Sequence, residues 1–448
     1  MILPALPAEA APLLLALAPA FHPPTWHRFQ LLLAAAILTP GRRTIANLLR
    51  TTGPLGKGHR TSYQRVLSAA HWSGLHLACL LTGFVLRHLI PDGTVTVVGD
   101  DTVESHPGRK VYGKARHRDP VRSSHTYTAW RYGHKWVVVA ILVRWPGTTR
   151  SWALPVLIDL YRSAADNQAR LRPHRTPAQL MCRLLRLLLQ RFPTRTFVFV
   201  GDASYGTHEV ARFCHRHRPR LAVVSKLHPA ANLFTPPLRS RGPGRPRVKG
   251  KRLPKPQEAV AARRRFRRLT VPWYGGGTRQ VQTLSALGHW FKSGQGLVPL
   301  CWVFVRDRTG THRDEYFFTT DLTLTPTAVI GLYTGRWNLE TTFQELRSYV
   351  GLETTQGWCQ RTVVRAAPCL FGLYTVVAVL YHQLSPEQRR GCLTWPGKVG
   401  LTFSDAMTAV RRWLWADWVL PETLGEGTLE KLTPAARNHL LSALSPAA

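Results

Sequence analysis

Apolar residues run along the chain in two rhythms. Between about residues 24 and 92 they recur at helical spacing, in WHRFQLLLAAAIL, RTIANLLR, TSYQRVLSAA and LHLACLLTGFVLRHL, which predicts a run of helices. The pattern then shifts to short β-rich runs, TVTVVGDD (94–101), HKWVVVAILV (134–143) and SWALPVLIDL (151–160). A strongly apolar helix is expected over AQLMCRLLRLLLQRF (178–192). After it comes RTFVFVGD (195–202), a near-continuous apolar run of the kind that forms a strand buried on both faces. EVARFCHRHR (209–218) reads as a helix and RLAVVSKL (220–227) as another strand. Three strands, a helix, a strand, a helix and a strand predict a mixed α/β sheet.

That element order resembles an RNase H-like domain. From about 229 to 324 the pattern loosens, and residues 235–268 are extreme in Pro, Gly, Arg and Lys. β-like runs follow at 269–273, 279–284, 299–306 and 315–320, which suggests an inserted, mostly β subdomain carrying a basic loop. A long helix resumes near 326, and the C-terminal stretch, including VRAAPCLFGLYTVVAVLYHQL and DAMTAVRRWLWADWVL, reads as helices packed on the core. The expected organisation is a helical N-terminal region (1–92), serving as a DNA-binding domain or a cap. The first part of an RNase H-like core (93–228), the inserted β subdomain (229–324), the remainder of the core (325–385) and a C-terminal helical region (386–448) follow it.

Charge changes the picture. Sixty Lys and Arg against 24 Asp and Glu give a net charge of +36 and a pI near 11.2. A compact chain tolerates such self-repulsion best beside a polyanion, and nucleic acid is the usual one. A basic membrane-surface protein would carry a long amphipathic basic helix, and the sequence has none. The apolar N-terminus lacks a basic leader and is broken by Pro4, Pro7, Pro12 and Pro19, so it reads as a helix packed on the body rather than a signal peptide. The seven cysteines are scattered without a CxxC pair, as expected of reduced thiols in a cytoplasmic protein. Cys214, His215 and His217 read as a helix end, since no second cluster completes a zinc site.

Acidic residues are scarce, so their placement is informative. Asp100 and Asp101 end the first strand of the α/β region, and Asp202 ends the fourth. Carboxylates at the ends of neighbouring strands can converge at a sheet edge, where open α/β sheets place their chemistry; strand-end aspartates also cap turns. Thr325 and Pro326 look like an N-cap and a first helical residue, and Gly351 like the stop. At about 100° per residue from Tyr333, Arg336, Glu340 and Arg347 fall near 300°, 340° and 320°. Leu332, Leu339, Phe343, Leu346 and Val350 form the adjoining apolar face, and Glu345 lies away from both near about 120°. A polar stripe bordering a core face suggests a helix packed on the sheet, with Glu340 aimed at the site. Three converging carboxylates would need cations, and hard divalent ions with oxygen ligands, Mg²⁺ above all, meet that need. Two ions roughly 3.5–4 Å apart can activate an attacking oxygen and stabilise the leaving oxygen of a phosphodiester.

The helix string Tyr333-x2-Arg336-x3-Glu340-x6-Arg347, together with GDDT (99–102) and GDASYG (201–206), resembles the IS4-like (IS701-type) DDE transposases of bacterial insertion sequences. The one departure is Arg347 where Lys is usual, which keeps the charge but replaces a point-like ammonium with a planar fork. The matches span roughly residues 94 to 365. The resemblance implies that Asp101, Asp202 and Glu340 are catalytic metal ligands for two Mg²⁺ ions, with Mn²⁺ able to substitute. Asp100 stays a rival to Asp101. It implies that Tyr333, Arg336 and Arg347 hold phosphates and that Trp337 stacks on a displaced base or packs beside the helix. It also implies cut-and-paste chemistry on transposon ends and target DNA, by a homodimer in the bacterial nucleoid.

PGRPR (243–247), with Arg245 and Arg247, looks like the core of an AT-hook for a narrow minor groove. RRRFRR (263–268) and the basic loop 109–122 would add nonspecific phosphate contacts that weaken with salt. Two other readings are a domesticated or inactive DNA-binding derivative and an RNase H-like nuclease that does not join strands.

Overall fold

The computed structural model describes residues 6–119, 122–124, 126–237, 247–389 and 396–446. Eleven described strands form one sheet. They are β1 (Val95–Ser105), β2 (Ala115–Arg118), β3 (Trp130–Val143), β4 (Trp152–Tyr161), β5 (Phe197–Gly201) and β6 (Leu221–Lys226), then β7 (Leu233–Phe234), β8 (Arg267–Pro272), β9 (Thr278–Lys292), β10 (Gly296–Asp307) and β11 (Glu315–Thr319). The core runs β4-β3-β1-β5-β6, with β3 antiparallel to β1 and β4. β5 is parallel to both of its neighbours. This is the RNase H-like arrangement expected from the element order. β5 is buried along its whole length, which its near-continuous apolar run requires of a central parallel strand.

Two faces matter for the site. The Pro177–Arg191 helix, opened by a Thr176/Gln179 capping box, packs on β3 and β4, and the His208–Arg216 helix lies beside it. The Asn338–Glu345 and Gln360–Gln383 helices pack on β1 and β4 from the other side. Gln360–Gln383 is long and apolar enough to cross a bilayer, but it is mostly buried inside the protein.

The insertion does not build a sheet of its own. β11 pairs antiparallel with β6, β10 with β11 and β9 with β10, so the inserted strands continue the core sheet. β6 would otherwise present an unpaired edge, and covering it satisfies its backbone groups. Two elements also lie in segments expected to be loops. β2 forms within the basic stretch 109–122 and pairs with β3, and a short helix, Pro256–Ala261, forms within 235–268. Arg245 and most of PGRPR lie outside the described residues; Arg247 is described and exposed.

The helical ends of the chain are joined to each other and to the core. Arg365, in the Gln360–Gln383 helix, donates to the carbonyls of Leu67, Ala70 and Trp72. Arg411, fully buried in the Phe403–Leu414 helix, donates Nε to the Ile37 carbonyl at 2.7 Å. Charged donors on carbonyls that end or leave helices satisfy groups that the helices cannot. The six described cysteines are free thiols.

Candidate active site

Pairing of Gly99 with Gly201 sets Asp100 and Asp101 level with Asp202, which follows the end of parallel β5. Asp100 and Asp101 therefore lie beside Asp202 at one sheet edge. Contrary to expectation, the two aspartates do not end β1, because its pairing with β3 carries the strand on to Ser105. Side chains alternate along a strand, so the two aspartates of β1 face opposite ways. Asp101 shares the face of the Pro177–Arg191 helix, where it meets Lys135 Nζ at 2.8 Å and accepts from the Tyr205 hydroxyl at 3.3 Å. Gly99 stands on that same face, where a Cβ would come within 2.5 Å of Met181 Cε and of the Phe199 ring. The strand can approach that helix closely only because residue 99 has no side chain.

Asp100 shares the other face with Thr102 and Glu104, under the helix that carries Glu340. Thr325 caps that helix by accepting from the Ala328 N–H, and Gly351 ends it at φ +76°. Between those ends it is not straight: it is interrupted at Arg336–Trp337 and widens to a π turn over Leu346–Val350. Arg336 sits under the interruption, 7% exposed. It donates to Asp100 Oδ2 and to Glu340 Oε1, each at 2.7 Å. One guanidinium thus bridges the two carboxylates, and its Nε is buried without a partner among the described residues. Glu340 is nearly half exposed.

Asp202 turns the chain sharply. Its carboxylate accepts from the Ser204 N–H at 2.9 Å, the Ser204 hydroxyl at 3.2 Å and the Tyr205 N–H at 3.4 Å. Burial raises the Asp100 carboxyl to about 7; Arg336 opposes the rise, while Asp202 and Asp101 add to it. Burial also raises Asp101, against Lys135, with Asp202 again adding to the rise. Asp202 therefore acts on both aspartates of β1. Among the described residues, however, no three His, Cys, Asp or Glu side chains stand close enough to share a metal ion, and Arg336 holds Glu340 toward Asp100.

Arg347 ties the same helix to β1, donating to the Thr102 hydroxyl and to the Phe343 carbonyl and pairing with Glu353 at 3.2 Å. Arg131 joins that carboxylate at 2.6 Å. Tyr333 is buried with its ring stacked on Phe317, whereas Trp337 is 41% exposed. Glu345, remote from the polar stripe as expected, is buried and bonded to Arg150 and the Tyr374 hydroxyl, each at 2.7 Å.

Sequence reasoning missed Lys135, Tyr205 and Glu104. Tyr205 sat inside the GDASYG string, and Lys135 was the one charged residue in HKWVVVAILV. Glu104 accepts from the Trp136 indole at 2.7 Å and the Thr355 hydroxyl at 3.2 Å. Burial, with Glu353 adding to it, raises it from 4.5 to about 7 despite those bonds. A carboxyl raised in the folded state contributes stability below its unfolded pKa and loses it as pH climbs through the folded value. Glu104→Gln, neutral throughout, is therefore expected to gain on the wild type between pH 4.5 and 7. The gain should be on the order of 3 kcal/mol, read from urea unfolding at the two ends of that window. A stability difference that does not change with pH would show that Glu104 ionises normally.

Residues 16–280, more than half of the chain, match the sequence family described as DDE superfamily endonuclease. The chain belongs to that family. Its matched span includes Asp100, Asp101 and Asp202 and stops before Glu340. Among solved structures, the chain is similar to a piggyBac transposase described as a synaptic complex with hairpin DNA. The two are 12% identical, over 94% of this chain and 76% of that one, with a TM-score of 0.43. No curated protein matches it. As a donor set for the divalent ions that DDE endonucleases use, the aspartates of this edge fit. They are hard oxygen ligands on adjacent strands, and Asp202 raises the pKa of both Asp100 and Asp101, which is the repulsion a cation relieves.

Proposed function

We propose that the protein is a DNA transposase that hydrolyses phosphodiester bonds at the ends of its element and joins the freed 3′-OH to target DNA. The observation that carries this reading is the edge shared by Asp100, Asp101 and Asp202, with the Glu340 helix packed over it, in a member of the DDE endonuclease family. Asp101, Asp202 and Glu340 would hold two Mg²⁺ ions, with Asp100 the alternative to Asp101. Bound there, such ions would activate the attacking oxygen and stabilise the leaving one. The chain's own part is positional. Ser204 and Tyr205 fix Asp202, Lys135 and Tyr205 fix Asp101, and Arg336 restrains Glu340. Arg336 and Arg347 supply positive charge beside the edge, where phosphates would lie.

The test is a strand-transfer assay with Mg²⁺ and DNA carrying the element's own ends. Joined products support the reading. Cleavage without joining would leave the nuclease reading, and binding without cleavage an inactive derivative.

Trp337 offers an independent check. Exposed indole is poor packing and a good stacking platform. Trp337→Ala is expected to leave folding stability within about 0.5 kcal/mol while weakening binding of frayed or single-stranded ends by about 1–3 kcal/mol. Thermal melts and anisotropy titrations read the two effects. A loss of stability with unchanged binding would assign the ring to packing.

A further inference from the structure

On the face of the sheet opposite Glu340, a hollow of about 450 Å³ opens between the Pro177–Arg191 and His208–Arg216 helices. Five arginines line it, Arg175, Arg183, Arg186, Arg212 and Arg216, against one carboxylate, Glu209. Spacing explains the arrangement. Arg183 and Arg186 are three apart on one helix, and Arg212 and Arg216 are four apart on the other, so each pair projects from one side of its helix. The apolar residues between them, among them Leu184, Leu185, Phe213 and Cys214, are buried. Arg183 is paired with Asp159, and Arg186 covers the Phe213 ring. The guanidinium groups of Arg212 and Arg216 make no hydrogen bond or ion pair with any described residue. The hollow continues into a second one of about 330 Å³, which shares Arg175 and Arg183 and adds Arg162 and Arg172.

β5 leads into the His208–Arg216 helix, and β4 leads through a short helix, Ala164–Ala169, into the Pro177–Arg191 helix; both strands run toward the carboxylate edge. The basic trough therefore starts near that edge and runs away from it along the back of the sheet. Guanidinium groups facing one another with so few acids repel, and a chain of phosphates is the ligand that relieves this along a whole trough. Guanidinium forks match phosphate oxygens in pairs. The lining also selects among polyanions. Its aromatic rings are already engaged: Phe213 is buried beneath Arg186, His217 lies against Phe213 with Nδ1 at the Phe213 carbonyl, and Tyr112 in the second hollow is covered by Arg170. That leaves little free ring face to stack unpaired bases. Among its lining residues Val364, at the second hollow, is the one exposed large apolar side chain, too little to anchor a protein partner.

We propose that this trough is a second DNA-binding surface, which holds the backbone of a duplex segment other than the one being cut, given that the chain acts on DNA as proposed above. The test uses the full chain carrying Arg175→Ala, Arg212→Ala and Arg216→Ala together, none of which touches the carboxylate edge. Binding to a short duplex of arbitrary sequence is followed by anisotropy across a salt series. Affinity at low salt is expected to fall at least roughly tenfold, and the slope of log K against log salt to flatten by about 0.9 for each phosphate that the variant no longer neutralises. Wild-type affinity and slope in a variant that melts like the wild type would overturn the proposal. So would a loss confined to single-stranded DNA, or binding of an acidic peptide that competes with duplex only in the wild type. Cleavage by Asp202→Asn would instead sink the catalytic reading and leave this result standing, so the two failures are distinguishable.

Discussion

Asp202→Asn is expected to cut metal-dependent DNA cleavage on the order of 10³-fold or more while the protein stays folded. The amide keeps the oxygen that accepts from the Ser204 and Tyr205 N–H groups, so the turn survives with weaker, neutral hydrogen bonds. That loss should cost about 1 kcal/mol. What disappears is the negative charge, and with it both a hard ligand and the repulsion that helps raise Asp100 and Asp101. Glu340→Gln should behave alike, because Glu340 is half exposed and its one described bond is to Arg336. Cleavage of labelled duplex with Mg²⁺, beside a thermal melt, reads both variants. Undiminished cleavage by either would show that its carboxylate holds no catalytic ion.

Arg336→Met should have the largest effect on stability. The guanidinium is buried between Asp100 and Glu340. Removing it strands Asp100, itself buried, without its counter-charge; breaking such a pair costs about 3–5 kcal/mol. The sign of the pH dependence follows. Asp100 already stands at about 7 with Arg336 opposing the rise, so without Arg336 it goes higher. Below that pKa the lone carboxyl is neutral and tolerated, and above it the charge is unpaired. The deficit relative to wild type should therefore be small at pH 5 and widen as pH rises past about 7. Adding Asp100→Asn should recover most of it. Denaturant unfolding at both pH values measures this, and equal stability of Arg336→Met and wild type at pH 8 would remove the bridge from the account.

The core strands were legible because each contains an apolar run set off by a change of period, although β1 and β3 extend beyond those runs through polar residues, to Ser105 and back to Trp130. The glutamate helix was legible from its cap and its stop. Three things were hidden, each for a tertiary reason. Asp100 and Asp101 are neighbours on one strand, and which of them meets Glu340 depends on which helix covers which face of the sheet. β2 is a charged edge strand, and charge is how exposed edges are kept from pairing further, so it reads as a loop. The break at Arg336–Trp337 and the π turn after Glu345 depart from a uniform 100° wheel. The wheel still separated Glu340 from Glu345. It had no access to Arg150, far away in the chain, which with Tyr374 encloses Glu345.

The pairing of β6 with β11 has a mechanical consequence. Strands from the insertion are bonded into the same ladder whose parallel members, β5 and β1, carry the three aspartates. A push on the insertion is transmitted laterally through backbone hydrogen bonds, and the insertion cannot swing independently unless the Val224–Thr319 ladder opens. Insertion and aspartates are thus one stiff plate, and any clamping of DNA at the edge must come from the helices that lie across it, where Arg336 is the latch.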